Sequence, residues 1–198
     1  MPIAARESAP CPEETLTRLL RRRTSDLHAR LEASLDLLSR PVDRQRFVHV
    51  LGRFYGFHSV WEYAVRRHAG LRSFQETRTR LPHLRRDLAG LGLDEDAIAR
   101  LPPCAAGAEP AGCEAGAVGS MYVMEGSTLG GQLIARALAG VDWLPEGGLS
   151  YFDPHGPATG RMWREFQDWA ETRAPPARRD AAVAGARRTF EVLEAWLT

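Results

Sequence analysis

The residue best suited to chemistry is His28, because neutral imidazole is the commonest metal ligand among side chains and its two ring nitrogens can do different work. Glu32 follows four residues later, about 40° round a helix, where a carboxylate can accept the N–H of the nitrogen that does not bind metal and so fix the ring's orientation. Arg21 stands two turns earlier on the same face, about 10 Å along the axis, and offers a guanidinium fork to an anionic group at that distance from the metal. Spacing alone also admits plainer accounts: an edge-of-core histidine, a solvated carboxylate, and a charged surface run Arg21-Arg22-Arg23.

The second candidate is Gly126-Ser127-Thr128-Leu129-Gly130-Gly131-Gln132, set in an apolar segment. Gly126 and Gly130 are one helical turn apart, so they bare one strip of backbone to a flat ligand and also permit a kink. Close packing of a neighbouring helix explains the same spacing equally well. Each glycine inside a helix costs about 1 kcal/mol relative to alanine, so the three together need one reason or the other.

The remaining candidates are weaker. His58 and Glu62 share a helical face, but the Glu-x-x-His repeats of a di-iron bundle are missing. His49, His68, His83 and His155 lack metal-ligand spacing, and neither GxSxG nor GxxxxGK[ST] occurs. Cys11, Cys104 and Cys113 are odd in number with no CxxC pair, which argues against a disulfide framework and a zinc site, and makes a reducing cytoplasm the simplest compartment.

The elements that must position these residues are helical throughout. Leu16, Leu19, Leu20, Leu27, Leu31, Leu35 and Leu38 recur at three-and-four spacing and predict a first helix ending before Pro41. Phe47, Val50, Leu51, Phe54, Phe57, Trp61 and Val65 predict a second over 43–68, with Gly70 as its stop. Leu84, Leu88 and Leu91 mark a shorter helix, and Asp94 caps another. The Pro, Gly and Ala content of 101–116 predicts a loop, 117–138 the glycine-bearing helix, and 140–157 a second connection. Helices over 158–172 and 178–197 complete the chain, with no strand or repeat.

At 198 residues one domain is expected, with 1–14 as a flexible leader and 15–198 as the folded unit. The net charge of +1 excludes broad nucleic-acid or anionic-membrane binding, and no apolar run approaches a membrane span or a signal peptide. All 26 basic residues are arginine, so any bound anion is met by guanidinium.

Leu20-Arg21-Arg22-Arg23-Thr24-Ser25-Asp26-Leu27-His28-Ala29-Arg30-Leu31-Glu32 resembles the proximal helix of the haem oxygenase family, and Tyr122-Val123-Met124-Glu125-Gly126-Ser127-Thr128-Leu129-Gly130-Gly131-Gln132 resembles its distal helix. Gly156-Pro157-Ala158-Thr159-Gly160 and Trp163 are similar to the soluble bacterial, biliverdin-producing branch. The resemblance implies an all-α single-domain bundle holding haem between a proximal helix and a kinked, glycine-containing distal helix. It implies His28 as the axial iron ligand, Glu32 as its orienting partner, Arg21 as a propionate contact joined by Arg161 or Arg164, and Gly126 and Gly130 over the haem face. Haem would be both cofactor and substrate, O₂ the co-substrate, a reductase or ferredoxin-like protein the electron donor, and a phytochrome one acceptor for the biliverdin. Animal and cyanobacterial members carry Asp after the first distal glycine. Ser127 stands there in this chain, a hydroxyl that holds water without the charge. A non-enzymatic haem carrier or sensor on the same fold is the principal rival, and a thiaminase-like hydrolase, which needs an activated cysteine, is the other.

Overall fold

A computed structural model describes residues 14–38 and 42–198; residues 1–13 of the expected leader, with Cys11, and the expected stop at Pro41 lie outside the described residues. Eight α-helices account for the described fold: α1 (Leu16–Leu35), α2 (Arg44–Arg66), α3 (Ala69–Glu76), α4 (Leu81–Gly90), α5 (Glu95–Ala99), α6 (Glu114–Leu138), α7 (Thr159–Arg173) and α8 (Arg179–Leu197).

Local chemistry sets the ends of the helices. The Thr15 hydroxyl accepts from Arg18 N at the start of α1, and Asp36, at φ 40°, closes it in the left-handed region. Asp43 caps α2 by accepting from Arg46 N at 2.8 Å, and Asp94 caps α5 in the same way from Ala97 N. Two expectations need correction. Gly70 does not stop α2: the helix ends at Arg66, and Gly70 lies in the first turn of α3, a short helix that carries too few apolar residues to announce itself by periodicity. Within the predicted loop, 105–111 winds as 3₁₀ turns and α6 begins at Glu114, where the Cys113 sulfur accepts from Gly116 N in place of an oxygen cap.

The core is built round a close crossing of α6 and α8. A Cβ at Gly119 would stand 1.8 Å from the Ala182 carbonyl oxygen, and one at Gly185 would stand 2.1 Å from that of Gly116, so the two backbones touch where no side chain fits. α1 lies along α8 through Leu16, Leu20, Leu27 and Leu31, all buried. α2 brings the aromatic face that its sequence promised, and the Trp61 indole N–H donates to the Ser120 hydroxyl on α6 at 2.9 Å. α7 then closes against α6 and α1, leaving the second half of α6 with one side bare.

Candidate functional site

The helices that carry the two sequence candidates, α1 and α6, meet at Thr24 and Tyr122. The Tyr122 hydroxyl meets the hydroxyl of Thr24, which itself donates to the Leu20 carbonyl at 2.8 Å. Burial raises the Tyr122 pKa, opposed by the Arg21 charge and the Thr24 contact. From this contact point His28 lies one turn further along α1, and Gly126 one turn further along α6. The Trp163 ring of α7 lies 5.8 Å from Tyr122 and flanks Gly126.

His28 has a carboxylate beside one of its two ring nitrogens. Its Nδ1 stands 3.3 Å from Glu32 Oε2, its ring packs edge-on against Phe190 at 5.8 Å, and 56% of the side chain is exposed. Glu32 thus stands at Nδ1, four residues on, as the spacing predicts, and leaves the Nε2 side of the ring apart from it. Among the described residues no three His, Cys, Asp or Glu side chains gather into a metal-binding group.

The three glycines of α6 divide into two kinds. A Cβ at Gly131 would be 2.2 Å from the Phe152 carbonyl oxygen, so this position is tight packing. At Gly130 an added Cβ meets nothing within 4 Å, and at Gly126 it meets only the Trp163 ring edge at ordinary contact distance. Among the described residues no neighbour packs on Gly130, and the strip is open enough to admit a flat ligand. Leu129 and Leu133 flank it with 42% and 56% of their surfaces exposed, an open apolar patch that adjoins the strip. α6 is α-helical without a break from Glu114 to Leu138. The Ser127 hydroxyl donates to the Met124 carbonyl of its own helix at 2.7 Å, which leaves only its lone pairs for a water.

Arg161 pairs with Glu165 at 2.6 Å. Arg21 and Arg164 have no carboxylate at ion-pair distance among the described residues, so these two remain available to an anionic ligand. The residues present thus fit haem: one free imidazole nitrogen, a bare backbone strip, apolar flanks and two unpaired guanidinium groups.

A buried polar cluster behind α6 escaped the sequence reading. His58 Nδ1 donates to Glu62 Oε1 at 3.2 Å, and the Tyr151 hydroxyl donates to His58 Nε2 at 3.2 Å. Burial lowers the His58 pKa. It works to raise that of Glu62, but the contacts from His58, Thr79 and the Arg80 backbone N–H outweigh it and hold Glu62 below its usual range. Glu125 turns away from the glycine strip, as its helical angle predicts, and pairs with buried Arg78 at 2.5 Å. Burial still holds it above the usual carboxylate range. His58 and Glu62 at i and i+4, and a lone Glu125 in an apolar helix, were the available signals.

The cluster makes stability fall in acid. Burial lowers His58 and His83 and pushes His155 down to about 4. The unfolded chain takes up protons on these imidazoles below about 6.5 while the fold resists, so their contribution is complete above 6.5 and drains away toward pH 4. Glu125 and Asp87, both raised by burial, act in the opposite direction. Urea midpoints are expected to decline across this window, and His155→Gln should flatten the decline. A midpoint that stays level or rises from pH 6.5 to 4 would contradict it.

The described residues form an all-helical bundle, and comparison with known proteins identifies the family. The sequence model of the heme oxygenase family matches residues 14–198, and this chain belongs to that family. A heme oxygenase of Xanthomonas campestris pv. campestris (strain 8004) is 41% identical over 119 residues, a match that spans 57% of this chain and 64% of that protein. Among solved structures, the heme oxygenase of Leptospira interrogans superposes with a TM-score of 0.74 at 17% identity, covering 93% of this chain and 98% of that one. The NO- and CO-bound heme oxygenase of Neisseria meningitidis gives 0.72 at 23% identity, covering 93% and 91%. The likeness to these two structures shows the fold.

Proposed function

We propose that this chain binds haem between α1 and α6 and, with O₂ and electrons from a separate reductase or ferredoxin-like protein, opens the ring to a biliverdin, CO and iron. The observation that carries the reading is the bare Gly126–Gly130 strip of α6, together with an exposed His28 on α1 that has Glu32 at its Nδ1. Haem when bound supplies both the iron at which O₂ is activated and the ring carbon that is attacked.

Each protein group then has a defined task. His28 Nε2 would bind the iron, with Glu32 placed to accept a hydrogen bond from Nδ1–H and so keep the tautomer and hold the ring. Arg21 and Arg164 would take the propionates, where a planar fork suits a carboxylate. The glycine strip would set backbone rather than a strong side-chain acid or base against the haem, and Leu129 and Leu133 would add apolar surface at its edge. Burial raises the Cys104 thiol, the reverse of what the thiaminase-like alternative requires of a nucleophile. No helix among the described residues is long and apolar enough to cross a membrane. A cytoplasmic site and delivery of biliverdin to an acceptor such as a phytochrome complete the reading.

Anaerobic titration of the apoprotein with haem tests the binding half. One haem per chain, with quenching of Trp163 fluorescence, is the expected result; no uptake would overturn the reading. Ser127→Ala should slow single-turnover ring opening only modestly, because one neutral hydrogen bond is worth about 0.5 to 1.5 kcal/mol and this hydroxyl already spends its proton on Met124. Ser127→Asp should turn over as well as the parent. A complete loss of turnover in Ser127→Ala would show that this hydroxyl is indispensable.

A further inference from the structure

The aromatic side chains of α6, α7 and α3 form one continuous array that starts at the glycine strip. Tyr122 and Trp163 are 5.8 Å apart between ring centroids, Trp163 and Phe166 are 5.6 Å apart and nearly parallel, and Phe166 and Trp169 are 6.0 Å apart. Trp169 lies on Phe74 at 4.0 Å with 6° between the planes. Trp163 borders Gly126, so the inner end of the array lies against the proposed haem site, and Trp169 at the other end is partly open to solvent.

Packing requires apolar volume at these positions, but not indoles at both ends of a phenyl bridge, stacked on Trp163 and tilted to Trp169. Tryptophan and tyrosine are the side chains most easily oxidised by one electron, and phenylalanine can mediate a step without being oxidised itself. Neither Trp163 nor Trp169 has a protein acceptor for its indole N–H among the described residues. A proton lost on oxidation therefore passes to water and returns on reduction. Arg173 lies 5.9 Å from the Trp169 ring, which disfavours a cation there and favours the neutral, deprotonated radical.

Resting on the haem-binding reading above, we propose that Trp163 and Trp169, bridged by Phe166, form a hole-transfer path that drains oxidising equivalents from haem to the surface. When a peroxide oxidises the bound haem beyond its ferric state, Trp163 gives it one electron. Trp169 then gives one to Trp163, and an external thiol or ascorbate-type reductant gives one to Trp169. The net change is one electron from that reductant to the haem for each transfer, with no bond made in the protein. The activity is protective, because it removes an oxidant that would otherwise damage the strip and its flanks.

The experiment treats haem-loaded protein with an alkyl hydroperoxide, which cannot hydroxylate the ring, in the absence of reductant, freezes it for electron paramagnetic resonance, and maps tryptophan oxidation by peptide mass spectrometry. In the wild type an indole radical is expected, with stable oxidation concentrated on Trp163 and Trp169 and little on Trp61, Trp143 and Trp196, which stand outside the array. In Trp163→Phe, Trp169 oxidation should fall to the level of those three; in Trp169→Phe, Trp163 oxidation should rise. Even spread over all five indoles in the wild type would overturn the proposal without recourse to variants. So would unchanged Trp169 oxidation in Trp163→Phe. Haem uptake, read from the absorption spectrum before peroxide is added, separates this failure from failure of the binding reading, which would take the proposal with it.

Discussion

His28→Ala is expected to abolish the iron–histidine bond and with it turnover, while leaving the fold intact. The side chain is 56% exposed and its main packing contact is the edge of Phe190, so truncation removes little buried surface and should shift stability by no more than about 0.5 kcal/mol. Haem should still enter, because the apolar flanks and the arginines remain. Resonance Raman of the ferrous complex should lose the iron–histidine stretch, and added imidazole should restore part of it. Glu32→Ala gives the smaller companion effect: the ligand stays but its orienting acceptor is gone, and losses of such partners typically amount to about 10- to 100-fold in affinity or activity. An unchanged iron–histidine stretch in His28→Ala would remove His28 from the site.

The glycines of α6 should separate into two phenotypes. Gly130→Ala is expected to raise apoprotein stability by about 0.5 to 1 kcal/mol, since the position is open and alanine is the better helix former. Gly130→Leu should leave the apoprotein folded and block haem by filling the space over the strip. Gly126→Leu should do likewise, with some strain against Trp163. Gly131→Ala should behave in the opposite way. Its Cβ would overlap the Phe152 carbonyl, a backbone atom that cannot rotate aside, and overpacking of this kind costs about 1 to 3 kcal/mol or more. Urea unfolding and haem titration on the same variants make the test. Gly130→Leu binding haem as tightly as the parent would mean that the strip is not the haem face.

The sequence carries α1 and α6 plainly, because their apolar residues repeat on a helical period and their chemical residues stand at fixed offsets from that stripe. His28, Glu32, Gly126 and Gly130 therefore stand out in the sequence as candidates. Which glycine lies open and which meets a neighbour does not. That depends on the Phe152 backbone, supplied by a connection whose path no periodicity describes. The polar cluster was hidden for the same reason. Arg78, Thr79 and Arg80 leave a short turn, Tyr151 comes from a second connection, and only the fold brings them to Glu62, His58 and Glu125. α3 failed to show because a helix of eight residues with Gly70 in its first turn looks like an ending.

The measurement that tests the central claim most directly is a single turnover of the haem complex. Haem-loaded protein receives electrons and O₂ under conditions that trap CO, and absorption is followed to completion. The account predicts loss of the haem spectrum, growth of a biliverdin spectrum and one CO released per haem consumed. Stable haem that cycles between oxidised and reduced forms with neither product would contradict ring opening, and would assign the chain to haem carriage on the same fold.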